Sequence, residues 1–212
     1  MKQYGQSCAI ARALDVVGER WNLLIVRELL FGPRRHRDLA VGLPGIPSNV
    51  LASRLKDLQA AGVIARRTLP APGDVTVYEL TEAGRALHPT IDALLDWGLH
   101  HAPPVESGTP GQTSWALLVA DGQPTSLSPA KNVALQVDEE TFSLESRDGR
   151  LSVGRGEHNH SDATVVLNRD QMYDLMVGST DVGTAVAEAT VVGDLDAVND
   201  AFQTLATAIA TR

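Results

Sequence analysis

The chain has 212 residues, 43% hydrophobic and 21% charged, with a net charge of −8. That length holds one large core or two small ones, and the composition is that of a globular protein rather than a fibrous or disordered one. Apolar runs such as residues 115–120 fall far short of a bilayer span, and one cysteine, Cys8, excludes an intrachain disulfide and a cysteine-built zinc site. The first residues lack the layout of a secretory signal, so a cytoplasmic protein with no membrane partner is expected.

The acidic total hides a segregation. Residues 1–102 carry twelve Lys and Arg against ten Asp and Glu, a net of +2, whereas residues 103–212 carry six against sixteen, a net of −10. A DNA-facing domain joined to one that does not face DNA has this signature, as do two solvated surfaces of different composition. Residues 100–111 hold three prolines and two glycines and cannot continue a helix, so they mark a boundary. The expected organisation is a domain over 1–102, a linker over 103–112 and a second domain over 113–212.

In chain order, Ser7 is placed to cap a helix over 8–17, with Ile10, Leu14 and Val17 at helical spacing and Gly18 at its end. A second helix is predicted over 21–31, stopped by Gly32-Pro33, and Leu39 anchors a short third. After the turn at 43–46, Leu51, Leu55 and Leu58 repeat at i, i+4, i+7 in a fourth helix that Gly62 terminates. Val63-Ile64 and residues 75–78 read as two strands flanking a turn at 70–74, and Thr81 caps one long amphipathic helix through Leu87, Ile91, Leu94, Leu95 and Trp97. Helix, tight turn, helix, hairpin is the order of a winged helix-turn-helix, mostly helical with a two-stranded wing.

In such a fold the fourth helix, opened by Pro47, presents Ser48, Asn49, Ser53 and Arg54 to the major groove. Asn suits adenine, Ser donates or accepts, and Arg suits guanine or a phosphate. Arg54 has a competing reading as a partner of Asp38 or Asp57. Arg34, Arg35, His36 and Arg37 precede the third helix where the backbone would pass, and Arg66 and Arg67 on the first wing strand are further phosphate candidates. About six neutralised phosphates per protomer would give a log–log salt slope of about −5.

Beyond residue 112 the pattern changes. Five strands are predicted over 115–120, 132–137, 141–146, 150–153 and 163–167, with hairpin turns at Asp121-Gly122 and Asp148-Gly149. Helices follow over 170–177, 181–187 and 195–210. Strands followed mainly by helices imply an α+β domain with a roughly five-stranded sheet, not a doubly wound parallel one. No catalytic constellation and no phosphate loop appear. His158-Asn159-His160-Ser161-Asp162 reads as a solvated loop rather than a metal site. Neither an enzyme nor a cofactor is expected.

Two family resemblances sharpen this reading. The runs 8–15, 18–21 and 27–35, then Leu43-Pro44-Gly45-Ile46, Arg54-Leu55, Ala61-Gly62 and 78–84, resemble the HxlR family of bacterial winged-helix transcription regulators over about residues 5–100. That resemblance implies a homodimer formed by the N-terminal and post-wing helices and bound to a pseudo-palindromic operator on double-stranded DNA; a repressor is the first expectation for the chain, with the sign of regulation left open. The family usually has a Ser cap followed by Pro at the start of the recognition helix, whereas here Pro47 takes the cap position and Ser48 follows. The family also often carries an arginine in the second half of the wing, where this chain has Gly73-Asp74. In some members a cysteine matching Cys8 senses oxidants or electrophiles, and a helix-start position with Arg12 one turn away would favour a thiolate. A buried packing role is the competing expectation.

Residues 162–178 and 189–198 resemble the sterol carrier protein family, which the second domain then matches over about 113–210. That resemblance implies helices layered on a curved sheet around an apolar tunnel for a lipid or other hydrophobic effector. Its wall would include Trp115, Leu117, Met172, Met176, Phe202 and Leu205, with the two methionines one turn apart as adaptable lining. Plain core is the competing reading for each. The whole chain then reads as a regulator modulated by a hydrophobic small molecule. The alternatives are a redox response through Cys8, or a lipid-binding carrier whose winged helix serves protein contact.

Overall fold

The computed structural model describes residues 3–69, 75–103, 111–156 and 160–211. The chain divides into two compact units, Met1–Ala102 and Pro103–Arg212.

Unit 1 begins with α1 (Ala9–Val17) and α2 (Asn22–Leu29). Cys8, not Ser7, occupies the α1 cap position. Trp21 precedes α2 at φ +85°, so the expected start at 21 shifts by one residue, and Leu30 closes the helix ahead of Gly32-Pro33. Asn22, fully buried, donates from Nδ2 to the Val16 carbonyl at 2.8 Å, which ties α2 to the end of α1. Next come α3 (His36–Gly42) and α4 (Ser48–Ala60).

α4 buries Leu51, Leu55 and Leu58, the stripe that the i, i+4, i+7 spacing predicts. It ends in a Schellman motif, with Gly62 N–H donating to the Gln59 carbonyl and Val63 N–H to that of Leu58, both at 3.0 Å. Gly62 sits at φ +73°, where a Cβ is disfavoured. The antiparallel wing pairs β1 (Ile64–Leu69) with β2 (Val75–Leu80), and Ile64 faces Leu80. The wing turn at 70–74 lies outside the described residues.

The long helix expected after Thr81 is two helices, α5 (Glu82–Arg85) and α6 (His88–His101). Pro89 explains the break, because it lacks the N–H that a continuous helix would direct at Arg85. Thr81 caps α5 alone, accepting from Gly84 N–H at 3.1 Å.

Unit 2 opens with α7 (Thr113–Ala120). This corrects the strand expected over 115–120. Leu117, Leu118, Val119 and Ala120 are all buried, and a short run that is apolar all round carries no period to separate helix from strand. Asp121-Gly122 is therefore the exit of a helix rather than a hairpin, and the Asp121 carboxylate accepts from Val153 N–H at 2.8 Å. The sheet comprises β3 (Asn132–Val137), β4 (Glu140–Arg147), β5 (Arg150–Arg155), β6 (Ala163–Leu167) and β7 (Thr190–Gly193), in spatial order β5-β4-β3-β6-β7.

Five strands stand among the described residues of unit 2, the number expected, but Thr190–Gly193 takes the place of 115–120. β3 and β6 run parallel and the other pairs antiparallel. Asp148-Gly149 makes the β4–β5 hairpin with both residues at positive φ, as a type I′ turn requires. Helices α8 (Arg169–Met176), α9 (Val182–Glu188) and α10 (Leu195–Thr207) complete the unit. α10 packs on α7, α8 and α9 and against β3 and β6, and Phe142, Phe202 and Leu135 lie fully buried in the core. No helix among the described residues is long and apolar enough to cross a membrane.

Candidate nucleic-acid interface

The turn between α3 and α4 fixes where the fourth helix points. Leu39 and Leu43 are buried, Gly45 takes φ +85°, and Ile46 N–H closes the turn on the Leu43 carbonyl at 3.1 Å. Pro47 then stands at the α4 cap with φ −67° and ψ 141°, and its carbonyl accepts from Leu51 N–H at 3.0 Å. The fixed φ of proline suits this extended entry, and its missing N–H costs nothing there. With Leu51, Leu55 and Leu58 inward, Ser48, Asn49, Ala52, Ser53 and Lys56 form one exposed face.

Arg54 is less available than its position implies. Its Nη1 lies 3.4 Å from Asp57 and 3.6 Å from Glu19, and the side chain is only 20% exposed. Asp57 is one of the two partners that the sequence offers, whereas the contact with Glu19 joins α4 to the α1–α2 turn.

The basic run before α3 divides. Arg34 is buried and its Nη1 pairs with Glu28, so this arginine is not a phosphate contact as the sequence predicts. Burying a guanidinium requires a partner, and Glu28 on the inner face of α2 supplies it. Arg35 begins α3 with its N–H on the Asp38 carboxylate at 3.2 Å, and Arg35 and His36 are half-buried. Arg37 is exposed, with Asp38 at 3.3 Å. On the wing both Arg66 and Arg67 are exposed, and Arg67 pairs with Glu79 at 3.1 Å.

Glu28 is the residue that sequence reading passes over. Its Oε1 accepts from Arg27 at 3.0 and 3.2 Å while Oε2 takes Arg34. Burial pulls the Arg27 guanidinium below its ordinary value, and the Glu28 charge opposes that shift. The signal was an acidic residue three positions after Ile25 and one before Leu29, on the inward stripe of α2.

Cys8 is exposed. The backbone N–H groups of Ala11 and, less strongly, Ile10 hold its thiol below the ordinary range. The buried packing role is thus not what the fold gives it.

In unit 2, α7, α8 and α10 bring the six ligand candidates into one region. Leu117, Met172, Met176, Phe202 and Leu205 are buried core residues and Trp115 is half-buried. His158 and Asn159 lie outside the described residues, and no cluster of three metal-ligating side chains occurs among the described ones.

Unit 1, with its helix-turn-helix, Schellman-terminated α4 and β1–β2 wing, is a winged helix-turn-helix domain. The profile of the HxlR-like helix-turn-helix family matches residues 16–106, and the chain belongs to that family. The transcriptional regulator Rv3095 of Mycobacterium tuberculosis is 45% identical over 95 residues, 45% of this chain and 60% of that protein. Two Bacillus subtilis regulators are similar as well. YvaP is 34% identical over 93 residues, 44% of this chain and 86% of its own length. YodB is 35% identical over 85 residues, 40% and 76% of the two chains. The match thus spans 60% of the length of the mycobacterial relative.

Proposed function

We propose that the chain is a dimeric DNA-binding repressor whose α4 reads an operator in the major groove. The observation that carries this reading is the α4 face, where Ser48, Asn49, Ser53 and Lys56 stay exposed while three leucines anchor the opposite side. Pro47 sets the entry of that helix. Arg35 and Arg37 at the start of α3 and Arg66 and Arg67 on the wing flank it with positive charge for the phosphate backbone, and His36 between the first two adds a ring nitrogen that can donate to a phosphate. Family membership and the names of the relatives support the same reading. Dimerisation through α1 and α6 would place two copies of α4 one DNA turn apart on a pseudo-palindrome.

In this reading unit 2 binds a hydrophobic small molecule among Trp115, Leu117, Met172, Met176, Phe202 and Leu205. Support comes from the sterol-carrier resemblance and from the adaptable side chains of Met172 and Met176, since a ligand must displace side chains that now pack together. The ligand shifts operator affinity only by its preference for one arrangement of the dimer over another.

The test is titration of a duplex selected from a random-sequence pool, with and without fatty acids or sterols. No selectable duplex sinks the DNA reading and leaves a carrier whose winged helix binds protein. A selected duplex whose affinity ignores saturating lipid sinks the effector claim alone. A second reading keeps the repressor but makes Cys8 the sensor, favoured by its exposure and its lowered thiol pKa. It requires an oxidant to weaken DNA binding by the native chain and not by Cys8→Ser.

A further inference from the structure

Three elements of unit 1 meet at one buried pair of charges. Glu28 lies on the inner face of α2 with its side chain wholly buried, and Arg34 brings its guanidinium to the Oε2 side. Gly42, the last residue of α3, closes over them. A Cβ at Gly42 would collide with Glu28 Oε2 and lie 2.8 Å from Arg34 Nη1. The main chain of Arg34 meanwhile exchanges two hydrogen bonds with Tyr78 of β2, Arg34 N–H to the Tyr78 carbonyl at 2.9 Å and Tyr78 N–H to the Arg34 carbonyl at 2.8 Å. One residue therefore grips α2 and the end of α3 through its side chain and the wing through its backbone.

We propose that Glu28 and Arg34 are positioning residues for DNA recognition, holding the wing at a fixed angle to the helix-turn-helix so that the wing arginines and α4 engage one duplex together. The inference rests on the DNA-binding reading. Stability alone gives weak reason for the arrangement, because well-packed apolar residues serve a core at least as well as a buried ion pair. Direction is what the pair adds. A buried guanidinium bonded through Nη1 to a carboxylate oxygen, with Gly42 closed over both, has little room to turn, and here it fixes the segment that enters α3 and, through the 43–47 turn, α4. The same segment is laid along β2, whose Glu79 faces Arg67.

Spin labels at Val41→Cys and Thr68→Cys, both exposed, in a Cys8→Ser background report the angle between α3 and the wing without DNA. The native pair should give a narrow distance distribution. Glu28→Leu with Arg34→Met removes the pair and leaves Arg27, whose side chain is 19% exposed, to turn its guanidinium to solvent, so the fold should persist while the distribution broadens. On the selected duplex the same double variant should lose affinity at least tenfold, with a log–log salt slope shallower by about one. If the double variant fails to fold, Arg34→Lys carries the test, since it keeps the charge without the rigid planar guanidinium and should broaden the distribution by a smaller amount. A distribution as narrow as the native one in a folded variant overturns the proposal. Failure of the native chain to select any duplex overturns the DNA reading instead, and with it the recognition role, while the labels still report whether the pair sets the angle.

Discussion

Arg54, in the second turn of α4, faces Glu19 of the α1–α2 turn across 3.6 Å. With Asp57 at 3.4 Å on the other side, the one arginine of α4, the helix proposed to read DNA, is held by two carboxylates. A phosphate must compete with both. Glu19→Gln removes one competitor and a repulsive charge near the duplex while leaving the Asp57 contact in place. Partly exposed pairs of this kind are worth ~0.2–1 kcal/mol, so operator affinity should rise by up to about fivefold. The gain should shrink as salt is added. A fluorescence-anisotropy titration checks it, and unchanged or weaker binding would show that Arg54 makes no phosphate contact.

The two wing arginines should behave differently. Each phosphate contact contributes about 0.9 to the log–log salt slope. Arg66→Ala should remove that full amount. Arg67 must first leave Glu79, which stands 3.1 Å away, so Arg67→Ala should lower affinity and slope by less. Salt titrations of the two variants on one duplex decide the matter. Equal slopes, or a larger loss at position 67, would refute the ranking.

The pH dependence of unit 2 follows from Lys131 and Asp194. Lys131 Nζ lies 2.9 Å from Asp194 and 3.5 Å from Asp162. The hydrogen bond from Lys131, then the Ala197 backbone N–H, holds the Asp194 carboxyl below its ordinary range. The same bond and the Asp194 and Asp162 charges push the Lys131 ammonium up. A depressed carboxylate stabilises the fold above its unfolded pKa of about 4 and loses that contribution as pH falls through the folded value. A raised ammonium contributes fully below about 10.4 and loses that as pH rises through the folded value. Lys131→Met should therefore lower the Tm of the unit 2 transition between about pH 5 and 10, with the difference closing at both extremes. A deficit of constant size from acid to alkali would mean that the lysine acts through packing.

What the sequence made legible is what periodicity and punctuation encode. Leu51, Leu55 and Leu58 gave α4, Gly62 gave its end, and Asp148-Gly149 gave a hairpin. What it hid falls into two physical kinds. Residues 115–120 are buried on every side, so nothing in their order separates helix from strand. The partner of Arg34 was hidden because a charge six residues upstream, on the apolar face of another helix, is joined to it only by the fold. Four consecutive basic residues looked equivalent on paper, but the turn after Pro33 sends Arg34 inward and leaves Arg37 outside. The order of helices and wing was readable, whereas the charge pairing around Arg34 and Arg54 needed three dimensions.

The dimer expected of this chain has a specific test in the apolar side chains that unit 1 leaves in solvent. Ile10 and Leu14 stand one turn apart on α1, and Leu94 and Trp97 one turn apart on α6, all of them exposed. Trp97 is 58% exposed and packs against His101 with ring centroids 5.8 Å apart. Large apolar side chains in two exposed pairs on helices mark an interaction surface more often than they serve the fold. Leu94→Glu with Trp97→Glu places two carboxylates where a second copy would pack. The pair should convert dimer to monomer in sedimentation equilibrium with little change in the unfolding of unit 1, because neither side chain belongs to its core. A monomer engages one half-site, so affinity for the full pseudo-palindrome should fall towards that for a half-site. A variant that still sediments as a dimer places the interface elsewhere on the chain. A native chain that sediments as a monomer removes the two-fold reading of the operator altogether.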